Sequence, residues 1–149
     1  EIVSTGSGIV LPTTPTIFAP TINLTTSNGI SYNAATGEVT FNNGGSYNML
    51  LYMNAATTAA NRTVYLYGEI DTGSGYAIKR YSARSIVLPR IAEEQVHFSA
   101  TNYFPKGTKL RNYIWVSGNT VTLNSTDVPG TTPGTVTIPA YRMLWSGSL

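Results

Sequence analysis

The stretch Tyr47-Asn48-Met49-Leu50-Leu51-Tyr52-Met53 carries apolar side chains on both faces of an extended chain. Successive residues of a strand point to opposite sides, so Tyr47, Met49, Leu51 and Met53 share one face and Asn48, Leu50 and Tyr52 the other. One row can fill the core of the chain's own sheet. The second row needs another cover, and no segment has the three-and-four spacing of an amphipathic helix that would supply it. Leaving Leu50 and Tyr52 in water forgoes roughly 1.5 to 3 kcal/mol for each large side chain. The pattern therefore predicts a neighbouring subunit and an obligate oligomer.

Apolar residues recur at two along the rest of the chain, and Gly or Pro interrupts every longer window, so the expected fold class is all-β. Strands are expected near 17–25, 30–33, 38–42, 46–54, 63–71, 76–89 with a break, 95–102, 110–118, 120–124 and 135–145. About eight to ten short antiparallel strands without a helix fit a two-sheet sandwich or jelly roll. Turns supplying positive φ are expected at Asn28-Gly29, Thr36-Gly37, Asn43-Gly44-Gly45, Gly73-Ser74-Gly75, Lys106-Gly107 and Ser117-Gly118-Asn119. Residues 1–16, punctuated by Gly6, Gly8, Pro12 and Pro15, are expected to form an extended arm from an upstream stalk, with residues 17–149 as the single folded domain. Glu1 in place of Met leads to the expectation of a piece cut from a longer polypeptide. Val128 to Gly134 reads as a long exposed loop.

Two-faced strands recur. Val64, Leu66 and Ile70 oppose Tyr65 and Tyr67; Leu110, Ile114 and Val116 oppose Tyr113 and Trp115; and in the last strand Val136, Ile138, Ala140 and Leu144 oppose Tyr141, Met143 and Trp145. These rows predict a subunit interface made by Leu50, Tyr52, Tyr65, Tyr67, Tyr113, Trp115, Tyr141 and Met143. Tyr and Trp suit such a contact because they combine apolar area with a polar atom that can still find a partner.

Charged residues make up only 11% of the chain, against about 25% in ordinary domains. The nine basic and seven acidic residues, a net charge of +2, never cluster, which argues against nucleic acid or an anionic membrane surface as partner. No apolar run reaches the 18 or so residues that cross a bilayer. Cysteine is absent, so neither a disulfide framework nor a thiolate metal site is expected.

Asp71-Thr72-Gly73-Ser74-Gly75 contains the Asp-Thr-Gly of aspartic proteases, in which two carboxylates share a proton. The flanking Glu69-Ile70 and Ile86-Val87-Leu88-Pro89 do not follow that family's pattern, and an Asp opening a Gly-rich turn is ordinary turn chemistry. His97 is the only histidine, and it alternates with apolar neighbours in a strand. A multi-histidine metal centre is thereby excluded. Glu93 and Glu94 point to opposite faces and cannot converge on one substrate. No catalytic residue, metal or cofactor is expected. Among the arginines, Arg111 and Arg142 sit in apolar strands and are expected to reach the subunit interface. Their anion would be Glu38, Glu69 or Asp71 of the next subunit, or a small carboxylate gathered between chains with help from Arg80 and Arg84.

The run Ile30-Ser31-Tyr32-Asn33, Thr36-Gly37-Glu38-Val39-Thr40-Phe41 and Gly45-Ser46-Tyr47 before a long two-faced strand resembles tumour necrosis factor-like and complement-type globular heads. Phe104-Pro105-Lys106-Gly107-Thr108-Lys109-Leu110 and Tyr141-Arg142-Met143-Leu144-Trp145 resemble the lead-in to the seventh strand and the closing strand of those heads. The Phe-x-Gly-Phe ending of the complement branch is absent. The resemblance spans about residues 17 to 145 and implies a homotrimeric jelly roll. The Thr, Asn and Ser-rich, cysteine-free surface is similar to the trimeric knobs of bacteriophage tail needles, spikes and fibres. That likeness implies a non-enzymatic head on the virion tip, meeting a glycan or protein receptor on the host envelope. Ala55 to Asn61, Thr72 to Tyr76, Asn102 to Lys106 and Ser125 to Thr132 are the expected contact loops. A carbohydrate-binding module using exposed Tyr and Trp is the alternative. Asn-x-Ser/Thr sequons at Asn23, Asn61 and Asn124 are expected by chance in so Thr- and Asn-rich a chain.

Overall fold

A computed structural model of the chain describes residues 2–4, 8–19, 23–24, 29–79, 82–89, 93–118, 121–129, 135–138 and 140–148. The strands in chain order are β1 (Ile2–Ser4), β2 (Ile9–Val10), β3 (Thr16–Ile17), β4 (Asn23–Leu24), β5 (Ile30–Asn33), β6 (Glu38–Phe41), β7 (Gly45–Thr57) and β8 (Arg62–Asp71). They continue with β9 (Tyr76–Ile78), β10 (Arg84–Leu88), β11 (Glu93–Phe104), β12 (Lys109–Val116), β13 (Val121–Leu123), β14 (Thr126–Pro129), β15 (Thr135–Ile138) and β16 (Tyr141–Ser148). No helix occurs among the described residues.

Two seven-stranded antiparallel sheets form the sandwich. The first, which we call the inner sheet, runs β2-β13-β7-β16-β1-β4 with β11 along the other side of β7; the outer sheet runs β10-β8-β12-β6-β5, extended by β9 and β3. The pairs β1 with β16, β6 with β12, β7 with β11 and β8 with β10 join early strands to late ones. That nested pairing across two sheets is a jelly roll. β14 and β15 form a separate hairpin.

Period-two burial fixes the register. Along β7, Tyr47, Met49, Leu51 and Met53 are buried, while Asn48, Leu50 and Tyr52 are exposed. Across the gap Met49, Leu51 and Met53 meet Val64 and Leu66 of β8 and Ile114 and Val116 of β12 in one apolar cluster. A second cluster fills one end of the sandwich, where Phe41 stacks on Phe104 with ring centroids 4.0 Å apart and Trp145 meets Phe41 edge-on at 5.3 Å. Such aromatic geometries add about 0.5–1.5 kcal/mol beyond area burial. Gly37 has φ 66° in the turn between β5 and β6, and Gly73, Gly75 and Gly107 are also positive. Gly44 is not. A Cβ there would lie 3.1 Å from the Lys106 amide nitrogen, so close approach is what this position demands.

Three expectations need correction. The described residues of 1–16 are no separate arm: β1 pairs with β16, β2 with β13, and Leu11 is 1% exposed in the core. The expected strand 135–145 is two strands, β15 and β16, that join different sheets. Pro139 between them has no N–H to give to a ladder. The expected strand 17–25 contributes only Ile17 and Asn23–Leu24, in opposite sheets, and its remainder lies in part outside the described residues.

Candidate functional site

The outward face of the inner sheet is the first candidate surface. Leu50 is 36% and Tyr52 41% exposed at its centre. Register places Ser99 and Leu144 beside Leu50, and His97 and Arg142 beside Tyr52. The Tyr52 and His97 rings are 6.3 Å apart. Further along, Thr101 donates a hydrogen bond to Asn48 Oδ1 at 2.7 Å. The face is an apolar centre with a polar margin, the anatomy of a protein contact.

Tyr141 and Met143 do not belong to it. They are 0% and 3% exposed and lie in the protomer's own core, where Phe18 packs edge-on against Tyr141 at 4.6 Å. The alternation along β16 is as expected, but the inward row is Tyr141 and Met143, and the outward row is Arg142 and Leu144. The Tyr141 hydroxyl is buried without a hydrogen-bond partner among the described residues, and burial pushes its pKa up.

Tyr65, Tyr67, Tyr113 and Trp115 form a second surface, on the outward face of the outer sheet. Tyr65 stacks on Trp115 at 4.9 Å and Tyr67 on Tyr113 at 4.8 Å, with Trp115 edge-on to Tyr67 at 5.7 Å. These are cross-strand pairs between β8 and β12. The rings spend their faces on one another, so this ladder stiffens the sheet. It lies on the side of the sandwich away from Leu50 and Tyr52, so the eight residues expected at one interface are divided between two surfaces and the core.

Beside the ladder is a charged cluster. Glu38 accepts a hydrogen bond from the Tyr76 hydroxyl and lies 3.3 Å from Lys109 and 3.7 Å from Arg111. The Tyr76 hydrogen bond and the two cations hold the Glu38 carboxyl below its ordinary value; burial and the Glu38 contact raise the Tyr76 phenol. Arg111 also lies over the Tyr76 ring, 3.9 Å from its centroid, while its buried Nε has no acceptor among the described residues. Its carboxylate partner is therefore in the same chain, where sequence reasoning expected the next subunit to supply it.

The three described arginines of the expected anion site do not gather in one protomer. Arg111 is on the outer sheet and Arg142 on the inner one; both point away from the sandwich interior. Arg84 is at the β10 edge, its Nη1 donating to the Ala83 carbonyl at 2.9 Å. Arg80 lies outside the described residues. Asp71 accepts hydrogen bonds from the Gly73 and Gly75 amides at 2.7 and 2.9 Å, which lower its pKa. The carboxylate is occupied in closing its own turn.

The expected contact loops split between the ends of the sandwich. Thr72 to Tyr76 and Asn102 to Lys106 sit where β8 and β11 end and β7 begins; the turn after β7, with Asn61 at φ 57°, and the segment at Ser125–Pro129 lie at the other end. Gly130 to Thr132 are outside the described residues.

No protein-family profile and no characterised protein matches the chain by sequence. Two similar solved structures are those of murine APRIL at pH 5.0, with 10% identity and TM-score 0.48 over 82% of this chain and 96% of that one, and of Eiger TNF from S. frugiperda, with 11% identity and TM-score 0.41 over 70% and 74%. By its own strand pairing the chain is an all-β, antiparallel jelly-roll sandwich.

Proposed function

We propose that the protein is a non-enzymatic, homotrimeric knob at the tip of a bacteriophage tail needle, spike or fibre, which contacts the host cell envelope for attachment or penetration. The observation that carries this reading is the outward row of β7, with Leu50 and Tyr52 exposed at the centre of the inner sheet. Covering that row with two further copies leaves the ends of three sandwiches side by side. β1 runs antiparallel to β16 from Ile2 opposite Met143 to Ser4 opposite Tyr141. A chain preceding β1 would thus approach from the end where β7 begins, and the turn after β7 and the Ser125–Pro129 segment would face outward as the contact surface. Three copies of a weak contact on one rigid head add through effective concentration.

Light scattering coupled to gel filtration should give three times the 16.0 kDa protomer. The purified protein should bind phage-sensitive bacterial cells and slow phage adsorption to them, and substitutions of Thr58 and Asn61 should abolish both effects without changing mass. A folded species of protomer mass would overturn the assembly, and a trimer that binds no cell surface and leaves adsorption unchanged would overturn the function.

A further inference from the structure

A cavity of about 340 Å³ opens between the two sheets at their β10 and β11 edges. Its volume is at the lower end of the range that holds small organic ligands. Met49, Leu66, Phe98, Phe104 and Trp145 form much of its apolar wall. On β8 the inward row Val64, Leu66 continues to Gly68, which lines the cavity; a Cβ there would lie 3.0 Å from Leu110 Cδ1, so the position takes glycine for close packing against β12. A glycine inside a strand commonly marks such a close approach. Lys79 and Ser82 are both tied to this glycine, the Lys79 amide donating to the Gly68 carbonyl at 2.9 Å and the Gly68 amide donating to Ser82 Oγ at 3.0 Å.

Asn112 and Lys79 are among the polar side chains that line this cavity. Asn112 points inward from β12 and is 6% exposed. A side-chain amide facing such a space can donate to a group placed in it. Lys79 lines the cavity with its Nζ 4.4 Å from the centroid of the Phe104 ring, and no described carboxylate lies within ion-pair distance of it. Burial lowers its pKa. Arg84 also borders the cavity, which concentrates positive charge on one wall.

We propose that this cavity binds a small organic acid with an apolar, ring-sized body, its carboxylate held by Lys79 and Asn112. A carboxylate offers a partner to both, an anion for the ammonium and an acceptor for the amide. The apolar wall takes the body of the ligand and disfavours inorganic phosphate, which has none. This site lies within one protomer and does not depend on the knob reading.

The chain has three methionines, of which Met49 lines the cavity and Met53 and Met143 do not. With methionine methyls labelled for NMR, 3-phenylpropionate should shift the Met49 signal and leave the Met53 and Met143 signals in place, saturating at sub-millimolar concentration. The neutral 3-phenylpropanol should bind at least roughly tenfold more weakly, equivalent to about 1.4 kcal/mol, and phosphate should give no shift. Lys79→Met should weaken the acid by a similar factor while leaving the alcohol unchanged. Absence of any Met49 shift with the acid would overturn the proposal, as would equal binding of acid and alcohol. A Met49 shift that follows protein concentration and not the acid would also overturn it, because a second copy of the chain would then fill the cavity.

Discussion

Tyr52→Asp and Leu50→Asp test the assembly directly, because the protomer already shows how much of each side chain is left to cover. At about 200 Å² for a large side chain, exposures of 36% and 41% leave roughly 150 Å² of this pair in water per protomer. At about 25 cal/mol per Å² their burial is worth roughly 4 kcal/mol per protomer. An Asp at either position removes about half of that and strands a charge in a desolvated contact, at a further cost of several kcal/mol. The sum of roughly 5 kcal/mol per protomer corresponds to more than a thousandfold in association. Sedimentation velocity at micromolar concentration should show the wild type as a trimer and each variant as a folded monomer. Ser85→Asp, on the exposed face of the opposite sheet, should remain trimeric. Trimeric Tyr52→Asp would show that another surface is covered, and a monomeric wild type would remove the premise.

Tyr141→Phe should raise urea stability by about 1 kcal/mol, since it deletes a buried hydroxyl that has no partner among the described residues; a loss would reveal a hydrogen bond to that oxygen. Glu38 has a depressed folded pKa, so its contribution is present above the ordinary value of 4.5 and is lost as pH falls through the lower folded value. Glu38→Gln should therefore flatten the acid limb of the stability profile measured by chemical denaturation. At the other limb, burial pushes the Tyr32 phenol up to about 12 and raises those of Tyr76 and Tyr141. Stability should be full below pH 10.0 and decline as pH rises above it, because the unfolded chain ionises first. Asp71→Asn keeps an acceptor for the Gly73 and Gly75 amides and should leave fold and assembly intact, with no peptidase activity in either protein; cleavage of a peptide library that vanishes in the variant would refute the turn role.

The two-faced reading of β7 was legible because seven consecutive residues declare their parity and the strand is unbroken. Parity failed at β16. The sequence alternates through Ile138 and Tyr141, but a break between strands resets which side faces the core, and Ala140 and Tyr141 are both buried. Leu11 ends the short apolar run Ile9-Val10-Leu11 between Gly8 and Pro12, and three consecutive apolar residues have no period, so a segment crossing the core looks like a free arm. The arginines carry no pairing information, and only strand order puts Arg111 and Arg142 on opposite sheets. Gly68 was a missed signal: a glycine within an apolar strand marks a close approach, here of Leu110 to β8, and it borders the cavity that Lys79 and Asn112 line.

The nested pairing has a consequence for how the chain is made. β7 finds its neighbours in β11 and, beyond it, in β16 at the far end of the sequence. A nascent chain therefore holds the apolar row Met49, Leu51, Met53 on a strand with one side largely unpaired until β16 has left the ribosome. Non-local closure of this kind is slow and exposes an edge to other chains. A chain stalled before Tyr141 should be cleaved within β7 by a protease that spares the released protein, and synthesis on crowded polysomes should be the stage at which this sandwich is most prone to aggregate.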